Sequence, residues 1–177
     1  MDNPTYLLEV KNLCRYFTSG RGKKKLTVKA VDDVSFGVKP AETFGLVGES
    51  GCGKTTLGRT VIRLYDPTSG QVIFNGREIS GKMTNDLRRY LTENIAMIFQ
   101  DPIESLNPRM TVEEIIGEGL KVRGVKDKDE IRRRVVEMLE KVGLNEEHAT
   151  RYPHEFSGGQ RQRIGIARAL IVQPKMI

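Results

Sequence analysis

A chain of 177 residues, 38% hydrophobic and 29% charged, is long enough to bury a core and has the composition of one soluble globular domain, with no apolar run near the roughly 20 residues a bilayer crossing needs. The start Met1-Asp2-Asn3-Pro4 has no basic stretch followed by an apolar one, so no secretory leader is expected, and Cys14 and Cys52 make neither a metal spacing nor a disulfide framework, which points to the cytoplasm. The net charge of +6 gathers at Arg21, Lys23, Lys24, Lys25 and Lys29; a solvated loop explains it first and an anionic surface second, while the lack of interleaved aromatic residues argues against a nucleic-acid partner.

In chain order, residues 7–13 and 29–38 read as strands separated by the loop Ser19-Gly20-Arg21-Gly22. Residues 43–47, Thr-Phe-Gly-Leu-Val, form a short apolar run that predicts a buried strand leading into a glycine-rich loop. Leu57, Val61, Ile62 and Leu64 recur at helical spacing, and Asp66-Pro67-Thr68-Ser69-Gly70 stops that helix. Residues 71–74 predict a strand closed by the hairpin signal Asn75-Gly76, and residues 95–99 predict a second buried strand ending at Gln100. From Thr111 to Arg151 the period becomes helical, through Val112, Ile115, Ile116, Ile131, Val135, Met138, Leu139 and Val142, which predicts a small inserted helical subdomain. A last helix runs through Ile164, Ile166, Ala167, Ala169 and Leu170 to Pro174, and Lys175-Met176-Ile177 begins another strand.

Two motifs carry the chemistry. The first is Gly48-Glu49-Ser50-Gly51-Cys52-Gly53-Lys54-Thr55-Thr56, which fits the phosphate-loop spacing and sits between a predicted strand and a predicted helix. Glycines let the backbone curl so that successive N–H groups face a phosphate, and the next helix adds the positive end of its dipole. Lys54 reaches toward β- and γ-phosphates as a point charge, the Thr55 hydroxyl suits Mg²⁺, and Ser50 and Thr56 add donors. A Gly-rich turn with an incidental lysine is the plain alternative, and Cys52 is read as a residue small enough for the loop. The second motif is Phe156-Ser157-Gly158-Gly159-Gln160-Arg161-Gln162-Arg163. Alone it reads as a helix start with serine as N-cap.

Together these motifs resemble the ATP-binding cassette (ABC) family, the ATPase subunits of membrane transporters, over nearly the whole chain. The resemblance implies an α/β P-loop NTPase fold with an N-terminal antiparallel β subdomain and an inserted helical subdomain. It divides residues 1–177 into a β-rich and P-loop core to about 100, a helical subdomain over about 101–160 and a signature helix over about 157–173. It implies ATP and Mg²⁺ as ligands, with Lys54 and Gln100 serving catalysis and Thr55 and Gln100 serving the metal. Gly48 through Thr56 would hold the phosphates. Ser157, Gly158, Gly159 and Gln160 would close on the γ-phosphate of an ATP seated on a second ATPase subunit, identical or different. Adenine would stack on Phe17, with Tyr16 as the alternative, and either ring is equally a packing residue. His154 precedes the signature and is read as structural.

The segments around the two motifs are similar to those of oligopeptide and dipeptide importer ATPases, and Cys-Gly-Lys followed by Leu57-Gly58-Arg59 looks like their second, F-type subunit. Gln100-Asp101-Pro102, Ser105-Leu106-Asn107-Pro108-Arg109-Met110 and Tyr152-Pro153-His154-Glu155-Phe156-Ser157 are likewise similar to segments of the oligopeptide and dipeptide importer ATPases. This implies a peripheral place for the chain at the cytoplasmic face of the membrane, with two transmembrane permease subunits and an external peptide-binding protein as partners. The family continues with a strand ending in aspartate and glutamate and then a histidine switch, which are not in this sequence. Asp101 and Glu104 belong to the Gln100 region and cannot replace them. The 177 residues alone are therefore expected to turn over little ATP. A nucleotide-binding fragment without catalysis and a non-transport ABC ATPase are the alternatives.

Overall fold

The computed structural model describes residues 6–20, 26–101 and 105–177. The cationic residues Arg21, Lys23, Lys24 and Lys25, with Gly22, Pro102, Glu104 and the first five residues, lie outside the described residues. The chain divides into two compact units, Met1–Leu87 and Arg88–Ile177.

The first unit is built on a four-stranded antiparallel sheet with strand order β2-β1-β3-β4. Strand β1 spans Leu8–Ser19, β2 Leu26–Val38, β3 Ser69–Phe74 and β4 Arg77–Glu78. In β1 the period-two alternation buries Leu8 and Val10, then slips: Leu13 and Cys14 are buried in succession. The slip is a bulge at Asn12, whose φ of 46° is left-handed and whose pairing with β2 shifts register there. Side chains compensate for it: the Asn12 N–H donates to Ser35 Oγ at 2.8 Å, and its Nδ2 donates to Asp33 Oδ1 at 2.7 Å. The turn between β3 and β4 has Asn75 and Gly76 both at positive φ, 48° and 76°, as the Asn-Gly pair predicts. Val10, Leu13, Val72, Phe74 and Ile79 form the dry centre of this unit, each at most 1% exposed.

Helix α1, Lys54–Val61, lies against β1 and β2 through its buried Leu57 and Val61. It ends earlier than the apolar spacing predicts. Arg63 takes a left-handed φ of 64° and turns its buried guanidinium onto the carbonyls of Ile79 and Gly81 and onto Asp66. Leu64, which the helical pattern places inward, is consequently 57% exposed.

Helix α2, Asn85–Asn94, spans the boundary between the units, and no element predicted from the sequence covers it. Leu87 and Leu91, four residues apart, are its buried contacts, too few for a clear periodic signal. The second unit holds α3, Val112–Val122, α4, Lys128–Lys141, and α5, Gly158–Leu170. Their apolar faces close around Ile116, Val135, Leu139, Ile164 and Ala167, all at 0% exposure. Each helix starts on a side-chain cap: Thr111 on α3, Asp127 on α4 and Ser157 on α5. Helix α5 stops at Leu170, before Pro174.

Two predicted strands are corrected. Residues 43–47 form no strand among the described residues, and Phe44, Leu46 and Val47 stay 45%, 44% and 90% exposed. Residues 95–99 contribute one isolated parallel bridge, Ile95 to Met176, with the Ala96 N–H donating to the Met176 carbonyl at 3.0 Å. A strand exists only where neighbours accept its hydrogen bonds, and the described chain offers one such neighbour to residues 95–99 and none to 43–47.

Candidate functional site

In the first unit the phosphate-loop candidate runs from Gly48 into α1. Gly51 and Gly53 have φ of 81° and 97°, and Gly53 occupies the N-cap position of α1 without a side-chain cap. The first turn's N–H groups are therefore not capped by a side chain of the cap residue, an arrangement suited to an anion. A Cβ on Gly53 would lie 2.2 Å from the backbone oxygen of Ala30 on β2, so only glycine allows this approach. Ala30 is thus a residue that shapes the loop, and nothing in the sequence pattern marks it. The Lys54 ammonium folds back over the loop, donating to the carbonyls of Gly48 at 2.7 Å and Glu49 at 2.5 Å, with Cys52 Sγ 3.6 Å away. Ser50, Cys52 and Thr55 are exposed, and Thr56 is half-buried.

Phe17 and Tyr16 sit on β1 and face different company. Phe17 is 37% exposed, meets Tyr65 edge-on at 5.6 Å between centroids, and carries the Arg15 guanidinium 4.5 Å from its centroid. Arg59 donates to the Tyr65 hydroxyl at 3.1 Å, so two arginines and two aromatic rings form one largely half-buried cluster. The pairing of Arg15 with Phe17 was readable, since residues two apart share a strand face. Tyr16 instead gives its hydroxyl to Asp32, with Lys29 over its ring at 5.1 Å. That bond raises the phenol's pKa and, with Lys29, holds the Asp32 carboxyl below its ordinary value. Both aromatic candidates are thus engaged by neighbours, Tyr16 through its hydroxyl and Phe17 through its ring.

In the second unit Ser157 starts α5 with a reciprocal cap. Ser157 Oγ accepts the Gln160 N–H at 3.3 Å, and Gln160 Oε1 accepts the Ser157 N–H at 3.0 Å. Gly158 and Gly159 are exposed, and a Cβ on either would find no atom within 4 Å. Gln100 is exposed beyond the Ile95 bridge, beside the exposed Phe99. His154 lies stacked on Tyr152, 5.8 Å between centroids and 14° between planes.

The protein-family model described as ABC transporter matches residues 31–177, which include both motifs and Gln100. The chain belongs to the ABC transporter family. Its fold is that of ABC ATP-binding cassettes: it superposes with a TM-score of 0.81 and 30% identity on the ATP-binding cassette MJ0796, solved as a dimer in a post-hydrolysis state bound to ADP and Pi, covering 94% of this chain and 70% of that one. It is likewise similar to cbiO1 from Clostridium perfringens, part of an ABC transporter complex, with a TM-score of 0.78 and 27% identity over 98% of this chain and 63% of that one. Among curated proteins it is 58% identical to the oligopeptide transport ATP-binding protein OppF of Bacillus subtilis, over 97% of this chain and 55% of the relative. It is 53% identical to the dipeptide transport ATP-binding protein DppF of Lactococcus lactis, over 100% of this chain and 56% of the relative. The chain thus spans about half the length of the curated relatives it matches. No described helix is long and apolar enough to cross a membrane.

Proposed function

We propose that this chain is the nucleotide-binding part of an ATPase subunit that powers import of oligopeptides or dipeptides through an ABC transporter. The observation that carries the reading is the Gly48–Gly53 loop, bent at two left-handed glycines into the uncapped start of α1 with an ammonium folded over it. Relatives named for oligopeptide and dipeptide transport, above 50% identical, support the peptide substrate.

In this reading Lys54 leaves the carbonyls of Gly48 and Glu49 and donates to the β- and γ-phosphates, while the loop amides and the α1 dipole hold the rest of the chain of phosphates. Phe17 stacks on adenine, with Tyr16 the lesser candidate. Among the described residues no cluster of three His, Cys, Asp or Glu is placed to hold a metal. An ion would instead arrive with the nucleotide and keep phosphate and water as its other ligands, with Thr55 and Gln100, each exposed in its own unit, as the protein groups that the family resemblance assigns to it. Bound there, Mg²⁺ would neutralise charge between the phosphates. Gln100 orients the attacking water, and Ser157 to Gln160 serve the γ-phosphate of a nucleotide on a second ATPase subunit. The chain sits at the cytoplasmic face of the membrane, and two transmembrane permease subunits and an external peptide-binding protein complete the assembly. In membrane vesicles carrying the assembled transporter, peptide uptake should require ATP and stop in Lys54→Ala; uptake that survives this change overturns the reading.

A further inference from the structure

Within the first unit, two routes of contact run from the end of α1 to Phe17. On the first, Tyr65 is bound to the last turn of that helix. Its N–H donates to the Arg59 carbonyl at 3.1 Å, its hydroxyl accepts from Arg59 Nη1 at 3.1 Å, and its ring meets Phe17 edge-on. On the second, Arg63 Nη2 donates to Asp66 Oδ1 at 2.8 Å, and the Asp66 carbonyl accepts from Arg15 Nη1 at 2.9 Å. The Arg15 guanidinium then lies over the Phe17 ring and 5.6 Å from the Tyr65 centroid, so both routes meet at one cation. Arg15 Nε is buried with no hydrogen-bond partner among the described residues. A guanidinium that has lost water gains more from a ring face than a hydrated one does. Burial alone holds Phe17 weakly: it is 37% exposed, and its cross-strand neighbour on β2, Val28, is 53% exposed.

We infer that Arg15 is a positioning residue that ties Phe17 to the C-terminal end of the phosphate-loop helix, so that ring and loop meet the base and the phosphates of one nucleotide across a fixed span. This deepens the proposed function and rests on its reading of Phe17 and of the loop from Gly48 to Thr56. Two contacts held in one frame engage a ligand together, whereas a ring free to swing must be ordered at each binding event. A lysine keeps the charge and a donor for the Asp66 carbonyl but has no plane to lay on the ring. Methionine keeps part of the packing and loses both.

The test compares ATP with inorganic tripolyphosphate, each with Mg²⁺, by calorimetry on the full chain. Both ligands meet the loop and only ATP carries a base, so the ratio of their affinities isolates ring placement from losses of fold or charge that both share. Phe17→Ala should lower that ratio about tenfold. Arg15→Met should lower it about threefold or more, with Arg15→Lys between it and the parent. Adding Arg15→Met to Phe17→Ala should lower it by less than about twofold further, because the ring that Arg15 places is already gone. An unchanged or higher ratio in Arg15→Met, or fully additive losses in the double variant, overturns the inference and leaves the proposed function standing as long as Phe17→Ala still lowers the ratio. A ratio that Phe17→Ala does not move takes Phe17 out of the nucleotide site, and the inference falls with it. If Arg15→Met does not fold, Arg15→Lys decides alone: its ratio must fall below that of the parent, and an equal one overturns the inference.

Discussion

The two glycine-bearing motifs need their glycines for different reasons. In the first unit the need is internal: Gly53 is left-handed, and a Cβ there would strike the Ala30 carbonyl. In the second unit the chain's own atoms leave Gly158 and Gly159 free to carry a side chain. Ser157 and Gln160 satisfy each other in an ordinary capping box, as Thr111 and Glu114 do on α3. The first motif therefore takes its shape from the fold around it. The second is a plain helix start whose two small residues are not required by the atoms around them; the proposed function gives them a nucleotide on a second subunit to meet.

The comparison breaks most directly at Gly53. Gly53→Ala should destabilise the chain by about 3 kcal/mol or more, from the left-handed φ and the clash together, whereas Gly51→Ala, which meets no atom, should cost only the roughly 1–2 kcal/mol of the backbone conformation. Denaturant unfolding checks both, and equal losses would deny Ala30 its role. Next comes Lys54→Ala, which should weaken ATP binding at least about tenfold by removing a charge-assisted contact of roughly 1.5–3 kcal/mol, read by calorimetry. Ser157→Ala should cost the second unit about 1 kcal/mol as a lost N-cap, with ATP affinity of a single subunit unchanged. Gly158→Ala should move stability by no more than about 0.5 kcal/mol, while Gly158→Asp, equally tolerated by the fold, should stop turnover in the assembled transporter by setting a carboxylate against phosphate. A large stability loss in either Gly158 variant would mean that the second motif is internally constrained after all.

The smallest effect separates capping from ligand binding within the second unit. The Thr111 N–H and hydroxyl bind the Glu114 carboxylate and hold its pKa below the ordinary 4.5. A depressed carboxyl stabilises the folded state fully above its unfolded pKa and loses that contribution as pH falls through the folded one. Unfolding midpoints should therefore drop slightly below about pH 4.5 in the parent and less so in Glu114→Gln. The Ser157–Gln160 box has no carboxylate and should contribute nothing to that drop.

Local signals in the sequence reached far. Strand-like composition found β1 to β3 but stopped β1 at residue 13, Asn75-Gly76 found the hairpin, and helical period found α3 to α5, with Met138, Val142, Ile166 and Leu170 only half-buried. The P-loop spacing found a loop that the structure bends at the glycines expected to bend. What stayed illegible is non-local. No pattern announces that Ala30 presses on Gly53, or that Arg63 leaves the helical conformation to reach Ile79 and Gly81. Helix α2 hides because it buries so few apolar residues. The apolar runs at 43–47 and 95–99 carry strand-like composition, but a strand is defined by its neighbours, and Ile95 alone finds one.

That neighbour sets a schedule for synthesis. Ile95 pairs in parallel with Met176, and the whole three-helix core lies between them in sequence. At a ribosomal pace of about 5–20 residues per second, residues 95–99 wait several seconds in the open before their partner exists. Over that interval α3, α4 and α5 can assemble from local contacts, which are quick to form. The bridge then closes last, across a connection already folded and therefore short in effective length. Until it does, the backbone at Ile95 and Ala96 lacks the partner it has in the finished fold.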